Sequence, residues 1–307
     1  MSGALMPIKA YVTNLERRTD RAQRMVQLLA DRGIPSEIVA AVEFSDPEVA
    51  PEVERRISIP GGVRNRAAVA CTISHEHIWR RIAEGDEPHA IIFEDDLVIA
   101  DDVAAMLADP AFVPADADIV KMETFFKLQT RIDRKPTVTI GRYRLHRLRG
   151  HHVGTAAYLL TRKGARALLS RPLPPRVVDW ILFDEIEGIL NDLTVYQVVP
   201  APCAQGSVLA SKRDWPMDPV FASDVKPGAI EGDRARRKPR LPFTTPDERP
   251  RYLTKRLGFS RRSQSIERYL RTAVCRAIWA ARGQTLGEVP FVLDEPGTQT
   301  RPTEEGA

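Results

Sequence analysis

The stretch that most constrains the fold is a short apolar run that ends in three consecutive acids. Residues 90–93 read Ala-Ile-Ile-Phe, and Glu94, Asp95 and Asp96 follow at once. Four apolar residues bounded by polar ones predict a buried strand, and the acids then stand at its carboxyl end. Ligands of open α/β sheets bind just outside the carboxyl ends of the strands. The segment therefore predicts a buried sheet and a binding site at one of its edges.

The three acids also predict a cation site. Side chains alternate between the two faces of a strand, so Glu94 and Asp96 point one way and Asp95 points the other. Two carboxylates on the same side repel each other unless a cation lies between them. Oxygen ligands suit Mg²⁺ or Mn²⁺, which proteins hold through one or two carboxylates plus substrate phosphates. The alternative is a solvated turn whose acids cap a helix that begins near Asp101.

Segments with strand and helix patterns alternate along the first two thirds of the chain, which predicts an α/β fold with a largely parallel sheet and helices on both faces. Predicted strands cover residues 8–15, 37–42, 90–93, 118–122, 155–160 and 194–199. One predicted helix begins at Thr19 or Asp20. Four others cover residues 67–82, 103–107, 162–169 and 178–190. Two further segments are predicted as a polar loop, 47–62, and a hairpin or edge strand, 137–148.

The domain organisation follows from a change of composition after Gln205. With 307 residues, 43% of them apolar, the chain can bury a core in one or two domains. Beyond Gln205 the apolar periodicity fades, while proline, arginine and aspartate become more frequent. We predict a main domain over 7–224, a basic linker and C-terminal helix over 225–293, and a disordered tail over 294–307.

The charge of the chain is distributed unevenly. Residues 225–285 contain 16 Lys or Arg and 5 Asp or Glu, a net of +11 against +4 for the whole chain, which leaves −7 elsewhere. A basic segment on an acidic body predicts an anionic surface as a partner. Residues 261–282 fit a helix on anionic lipid, and the alternative is a helix packed back on the main domain. Nucleic acid is disfavoured because these basic residues lack interleaved aromatics.

The cysteines and the N-terminus predict a cytoplasmic protein. The basic segment would provide its contact with the inner face of the membrane. Cys71, Cys203 and Cys275 lie far apart and form no Cys-x-x-Cys pair, which suits a reducing compartment. Residues 1–7 do not resemble a secretory signal, and no apolar run approaches the ~20 residues that span a bilayer.

Several short motifs follow one another between about residues 8 and 205. They are residues 12–15 (Val-Thr-Asn-Leu) with Arg17 and 20–21, residues 70–75 (Ala-Cys-Thr-Ile-Ser-His) with Trp79, residues 91–96 (Ile-Ile-Phe-Glu-Asp-Asp), residues 155–161 with 164–165, and Val178 with Asp179. In this order they resemble glycosyltransferase family 25, the lipooligosaccharide-biosynthesis family related to collagen galactosyltransferases. The sequence departs from the family where Ala68 and Val69 replace a glutamate that often precedes the cysteine.

The resemblance implies a GT-A-like fold with a single Rossmann-type mixed sheet, a nucleotide-sugar donor such as UDP-galactose, and inversion at the anomeric carbon. It indicates a transferase that moves a hexose from a UDP-sugar to a glycan acceptor hydroxyl, in lipopolysaccharide or lipooligosaccharide synthesis. A lipid-linked glycan is one form that this acceptor can take. Two alternatives stay open, a protein hydroxyl as acceptor and a non-catalytic protein that binds nucleotides or polyanions.

The donor site is expected at the end of the first strand. Asn14 is suited to hydrogen-bond the base or ribose, and Arg17 or Arg21 to reach a phosphate. The alternative is that both arginines belong to a solvated helix start. Asp95 is placed in the same nucleotide-sugar site.

Ser74 and His75 are adjacent on a predicted helix and are also assigned to nucleotide-sugar binding. Neighbouring helical residues point about 100° apart, so the pair cannot form a nucleophile–base contact of a hydrolase. His75 is expected to contact donor or acceptor or to hydrogen-bond the acidic loop, and the alternative is a histidine satisfied inside the fold.

A carboxylate in the second half of the domain is expected to act as catalytic base. Asp179 matches the Val-Asp position of the family, and Asp184 follows within two turns. The alternative for Asp179 is a helix cap. His151 and His152 are candidates for a further ligand.

Overall fold

The structure is a computed structural model that describes residues 8–126, 130–150, 152–213, 215–222 and 277–292. Four predictions therefore lie wholly or mostly outside the described residues. They are a ligand role for His151, the linker, all but the end of the C-terminal helix, and the disordered tail at 294–307.

The described residues form twelve strands. They are β1 Ala10–Asn14, β2 Ser36–Ala40, β3 His89–Glu94, β4 Leu97–Ile99, β5 Ile119–Lys121, β6 Thr130–Asp133, β7 Val138–Ile140, β8 Tyr143–Arg147, β9 Ala157–Thr161, β10 Val195–Val199, β11 Cys203–Gln205 and β12 Gln284–Gly287. Eight of them form one sheet in the order β2-β1-β3-β9-β5-β10-β8-β7. Two small sheets pair β4 with β11 and β6 with β12.

The large sheet is mixed, which confirms the α/β class but not the expectation of a largely parallel sheet. The pairs β1–β2, β1–β3 and β5–β10 are parallel. Strand β9 lies antiparallel between β3 and β5, and the hairpin of β7 and β8 adds two antiparallel pairings at the edge. Local patterns predicted the positions of the strands of this sheet, but not those of β4, β6, β11 and β12 in the two small sheets. The direction of β9 depends on the path of the chain between distant elements.

Seven helices lie wholly within the described residues. They are α1 Thr19–Ala30, α2 Ala50–Ile57, α3 Arg66–Glu84, α4 Val103–Leu107, α5 Arg162–Leu169, α6 Val178–Phe183 and α7 Gly206–Arg213. The predicted polar loop over 47–62 is wrong, because α2 forms there and buries Val53. The helix predicted over 178–190 is too long. It ends at Phe183 because Asp184 turns to an extended conformation and its Oδ1 accepts the backbone N–H groups of the next turn.

The core lies on both faces of the sheet, because the side chains of β3 alternate. Ile91 and Phe93 pack on one face with Met25 and Leu29 of α1. Ile92 packs on the other face, in the cluster that contains apolar residues of α3, α5 and α6. The apolar run that ends in the acids is therefore packed on both of its faces, and this packing positions the acids that follow it.

The segment 277–292 belongs to this body. Strand β12 pairs with β6, and the backbone N–H of Val292 donates to the carbonyl of Ala201 at 3.0 Å. Residues 277–281 are helical, but Trp279 is the buried side chain while Ile278 is 44% exposed. Among the described residues, no helix has the length and apolar character needed to cross a membrane.

Candidate active site at the carboxyl edge of the sheet

Three strands that run in the same direction end at one edge of the sheet. Strand β1 is parallel to β3, and β9 is antiparallel to both β3 and β5, so β1, β3 and β5 share a direction. Their last residues are Asn14, Glu94 and Lys121. Because β9 runs the other way, its start, preceded by Thr155, lies at the same edge. This is the edge at which α/β sheets bind ligands.

Glu94, the last residue of β3, and Asp96, in the turn that follows, face the same space. The Nε2 of Gln205, at the end of β11, lies 3.2 Å from Oε2 of Glu94 and 3.3 Å from Oδ1 of Asp96. Thr155 donates to the other oxygen of Glu94 at 3.2 Å. A single side-chain amide thus bridges the two carboxylates, and it brings no positive charge to balance them.

Burial governs the electrostatics of this pair. It raises the pKa of Glu94 to about 7, and the negative charges of Asp95 and Asp179 act in the same direction. Burial also raises the pKa of Asp96 to about 7, with the charges of Glu94 and Asp95 adding to it. Two carboxylates whose ionised forms are disfavoured by burial and by each other gain most from a nearby cation. Their oxygen donors fit Mg²⁺ or Mn²⁺.

Asp95 points away from that pair and is held by two long-range contacts. Asn14 donates from Nδ2 to Oδ2 of Asp95 at 2.7 Å, and Arg21 donates from Nη1 to Oδ1 at 2.8 Å. The guanidinium of Arg21 also donates to the backbone carbonyls of Val220 and Ala222. The structure therefore places Asn14, Arg21 and Asp95 in one buried network that fixes the chain just after β3.

The remaining predicted donor residues differ in accessibility. Arg17 is half exposed and pairs with Glu43 at the surface. The hydroxyl of Ser74 is buried, donates to the carbonyl of Ala70 at 2.9 Å and accepts the backbone N–H of Val42 at 2.8 Å. Ser74 therefore ties α3 to the segment after β2, and Arg17 is the more accessible of the two to a ligand.

His75 lies on α3 next to Glu94 and is fully buried. Its Nδ1 lies 2.9 Å from the hydroxyl of Tyr158, which also accepts the indole N–H of Trp79 at 2.7 Å. Its Nε2 is 3.6 Å from Oε1 of Glu94 and has no hydrogen-bond partner among the described residues. Burial lowers the pKa of His75 to about 4, so the ring is neutral at pH 7.

Sequence reasoning missed Lys121 and Glu123. Both are fully buried, and Nζ of Lys121 lies 2.9 Å from Oε1 of Glu123. Lys121 also donates to the carbonyl of Gly154, and Glu123 accepts the backbone N–H of Ala156 at 2.8 Å. Together they hold residues 154–156, which carry Thr155 against Glu94. The available signal was a lysine and a glutamate two positions apart at the end of a predicted buried strand.

Of the two predicted catalytic carboxylates, Asp179 lies at this edge. It is partly exposed, its Oδ2 accepts the backbone N–H of Gly154 at 3.4 Å, and its charge raises the pKa of Glu94. Asp184 is buried, and its Oδ1 accepts the backbone N–H groups of Ile186 and Glu187 at 2.8 and 2.7 Å. Asp184 therefore shapes a turn. His152 is buried against Gln197.

The fold and this edge together define an α/β enzyme whose acids and backbone groups converge where strands end. The model of glycosyltransferase family 25 (LPS biosynthesis protein) matches residues 7–177, more than half of the chain. The chain belongs to this family, and it is an enzyme that transfers a sugar. The resemblance described from the motifs is confirmed.

Curated relatives agree with the family. The lacto-N-neotetraose biosynthesis glycosyltransferase LgtE of Neisseria meningitidis serogroup B is 27% identical over 253 residues, 76% of this chain and 86% of the relative. LgtB of Neisseria gonorrhoeae, of the same description, is 28% identical over 218 residues, 64% of this chain and 73% of the relative. The lipooligosaccharide biosynthesis protein lic2B of Haemophilus influenzae is 25% identical over 208 residues, covering 66% and 77%.

Proposed function

We propose that the protein is an inverting transferase that moves a hexose from a UDP-sugar to a hydroxyl of a glycan acceptor. Galactose is the proposed hexose. Lipopolysaccharide or lipooligosaccharide synthesis is the proposed setting, because the family description and the names of the relatives point there. A GT-A-like arrangement is part of the proposal, supported by the mixed sheet and by acids at the end of β3.

The observation that carries this proposal is the pairing of Glu94 and Asp96 across Gln205. Both carboxylates face one space at the ligand-binding edge, and their side chains supply only oxygen donors. We assign them to Mn²⁺ or Mg²⁺, held together with the donor diphosphate. Such a cation would supply positive charge to offset the negative charge that appears on the diphosphate as it leaves.

Asp179 is our candidate for the base. The acceptor oxygen forms a bond to the anomeric carbon while the bond from that carbon to the diphosphate oxygen breaks. The hydroxyl proton passes to the carboxylate of Asp179, and the nucleoside diphosphate departs with the bonding electron pair. Asp179 is partly exposed beside Gly154, which leaves room for an acceptor hydroxyl. Attack on the face opposite the leaving group gives inversion.

For the donor nucleotide we propose the surface beside the end of β1. Arg17 is exposed there and can exchange its surface partner Glu43 for a phosphate oxygen. Asn14, Arg21 and Asp95 are buried together, so we assign them to holding the chain next to Glu94. His75 contributes a neutral ring beside Glu94, and Ser74 holds α3 in place.

The proposal is tested with a panel of UDP-, GDP- and CMP-sugars, assayed for hydrolysis or transfer with and without excess EDTA. We expect turnover of a UDP-hexose that EDTA abolishes and that Mn²⁺ or Mg²⁺ restores. Asp96→Asn should lose this turnover, whereas Asp101→Asn, a change in a partly exposed acid paired with Arg32, should keep it. Full turnover in EDTA would overturn the cation assignment, and no turnover of any UDP-sugar would overturn the donor assignment.

The acceptor and the location need a separate experiment. We propose a lipid-linked glycan acceptor at the cytoplasmic face of the membrane, supported by the basic composition of 261–282. Because 277–292 pack on the main body, truncation would disturb the fold. We therefore compare wild type with a variant in which Arg261, Arg262, Arg268 and Arg271 are all glutamine. Sedimentation with vesicles of anionic lipid should fall in the variant, and equal sedimentation would contradict the membrane proposal.

A further inference from the structure

One group of side chains beside the carboxylate pair has a different donor chemistry. Cys71 and His75 are one turn apart on α3, so they face the same direction. The thiol sulphur of Cys71, a ring nitrogen of His75 and a carboxylate oxygen of Glu94 all lie within 4.8 Å of one another. Sulphur, imidazole nitrogen and carboxylate oxygen together are the donors that Zn²⁺ takes in proteins.

We propose that Cys71, His75 and Glu94 form a binding site for a thiophilic divalent cation, with Zn²⁺ the best match. Ligand atoms about 2.0–2.3 Å from one tetrahedral ion lie roughly 3–4 Å apart. The 3.6 Å between Nε2 of His75 and Oε1 of Glu94 lies in that range, and none of the three separations exceeds 4.8 Å. Three protein ligands leave the fourth position to water, as in open zinc sites.

An unpartnered nitrogen on a buried ring supports this site independently. His75 is 0% exposed, and its Nε2, 3.6 Å from Oε1 of Glu94, has no hydrogen-bond partner among the described residues. A buried nitrogen without a partner is costly. Its other nitrogen is fixed by the Tyr158 hydroxyl, which Trp79 holds in turn. Histidines that bind metals are oriented by such a contact on the second ring nitrogen.

The charges balance when the ion binds. The Cys71 thiol releases its proton to solvent, and the thiolate and the Glu94 carboxylate together carry two negative charges. A divalent cation neutralises both, which favours binding at a site that is mostly removed from water. The ion can enter from the side of Glu94, whose side chain is 21% exposed.

Glu94 belongs to both sites, so the two cations compete for it. This consequence, unlike the site itself, rests on the proposed function. A Zn²⁺ ion held by Cys71, His75 and Glu94 would turn Glu94 away from Asp96 and so weaken the catalytic cation. Sugar transfer would then be inhibited by Zn²⁺ in the presence of excess Mn²⁺.

The site is tested directly by titrating the full chain with Co²⁺, which reports a bound thiolate by a charge-transfer absorption in the near ultraviolet. We expect this band at one equivalent in wild type and its loss in Cys71→Ser. The matched controls are Cys203→Ala, a buried thiol on β11 outside the cluster, and Cys275→Ser, and both should keep the band. Circular dichroism without metal confirms that each variant is folded. No band in wild type, or an equal band in Cys71→Ser, would overturn the proposal.

The inhibition is tested separately, so that the two proposals fail in different ways. At a fixed excess of Mn²⁺, Cys71→Ser should need at least ~10-fold more Zn²⁺ than wild type for half-inhibition of transfer. Equal sensitivity would overturn the competition for Glu94. Absence of transfer with every donor would remove the proposed function and leave the Co²⁺ result standing, whereas transfer without a Co²⁺ band would remove only the thiophilic site.

Discussion

The Nζ of Lys121 lies 2.9 Å from Oε1 of Glu123, and neither side chain is exposed to solvent. Nζ also lies 4.2 Å from the centre of the Phe183 ring. Removing one partner of a buried pair leaves an uncompensated charge, which typically costs ~3–5 kcal/mol. This pair contacts the backbone of Gly154 and Ala156, on either side of Thr155, which donates to Glu94. Loss of the pair should therefore affect both the stability of the protein and the site.

We expect Lys121→Met to lower the free energy of unfolding by about 3–5 kcal/mol, measured by urea denaturation monitored by circular dichroism. The matched control is Lys9→Met. Lys9 pairs with Glu37 at 2.8 Å but is 37% exposed, and surface pairs contribute about 0–1 kcal/mol. Equal effects of the two variants would show that Glu123 finds another partner when Lys121 is removed.

Gly154→Ala should disturb the site more than an ordinary glycine substitution. Gly154 has φ +93°, and a Cβ there would lie 2.8 Å from Oε1 of Glu123. Gly33 is the control, because it has φ +65° and open space around the position of a Cβ. Both variants incur backbone strain of about 1–3 kcal/mol. Only Gly154→Ala should add the cost of overpacking, about 1–3 kcal/mol more.

The same two glycine variants separate stability from activity. Gly154→Ala should also reduce turnover at temperatures where the protein stays folded, because it displaces Thr155 from Glu94. Gly33→Ala should keep wild-type turnover under these conditions. Thermal unfolding and initial rates of transfer provide the two measurements, and identical results for both variants would contradict the role assigned to Gly154.

Asp96→Asn should change how stability depends on pH. Burial raises the pKa of Asp96 from 3.8 to about 7, so between these values the folded protein holds a proton that the unfolded chain has lost. Its contribution to the free energy of unfolding therefore decreases as pH rises from about 4 to 7, by at most about 1.4 kcal/mol per pH unit. Asparagine does not titrate, so the variant should gain stability relative to wild type across this range.

The measurement is urea unfolding in EDTA at pH 5, 6 and 7. The control is Glu37→Gln, because the ion pair with Lys9 lowers the pKa of Glu37 and its contribution is lost only at lower pH. The difference between Glu37→Gln and wild type should stay constant from pH 5 to 7. A constant difference for Asp96→Asn as well would mean that Asp96 is ionised in the folded protein throughout.

Asp179→Asn should reduce turnover at least ~10²-fold while donor binding stays nearly unchanged, because the amide cannot accept the acceptor proton. Donor binding is measured by calorimetry with the UDP-sugar, and turnover by initial rates. Asp184→Asn is the comparison, since Asp184 accepts backbone N–H groups in a turn and should act through stability. Turnover equal to wild type in Asp179→Asn would remove Asp179 from the mechanism.

Much of the local structure could be read from residue patterns. Short stretches of sequence specify three elements. They are the apolar run before Glu94 for β3, the amphipathic spacing for α3 and the cap by Thr161 for α5. The motifs also specified the family, because their order along the chain survives where overall similarity is low. Strand alternation predicted a common direction for Glu94 and Asp96, but β3 ends at Glu94, and the turn that follows it sets the direction of Asp96.

Tertiary structure decided which groups these acids meet. Asp95 meets Arg21, 74 residues away, and Glu94 meets Gln205, 111 residues away. Such partners depend on strand order and on the antiparallel direction of β9, which the periodicity of a single segment does not encode. The sequence by itself determined a strand ending in carboxylates, and only the folded chain decided which neighbours surround them, because burial and long-range contacts set their charge and their chemistry.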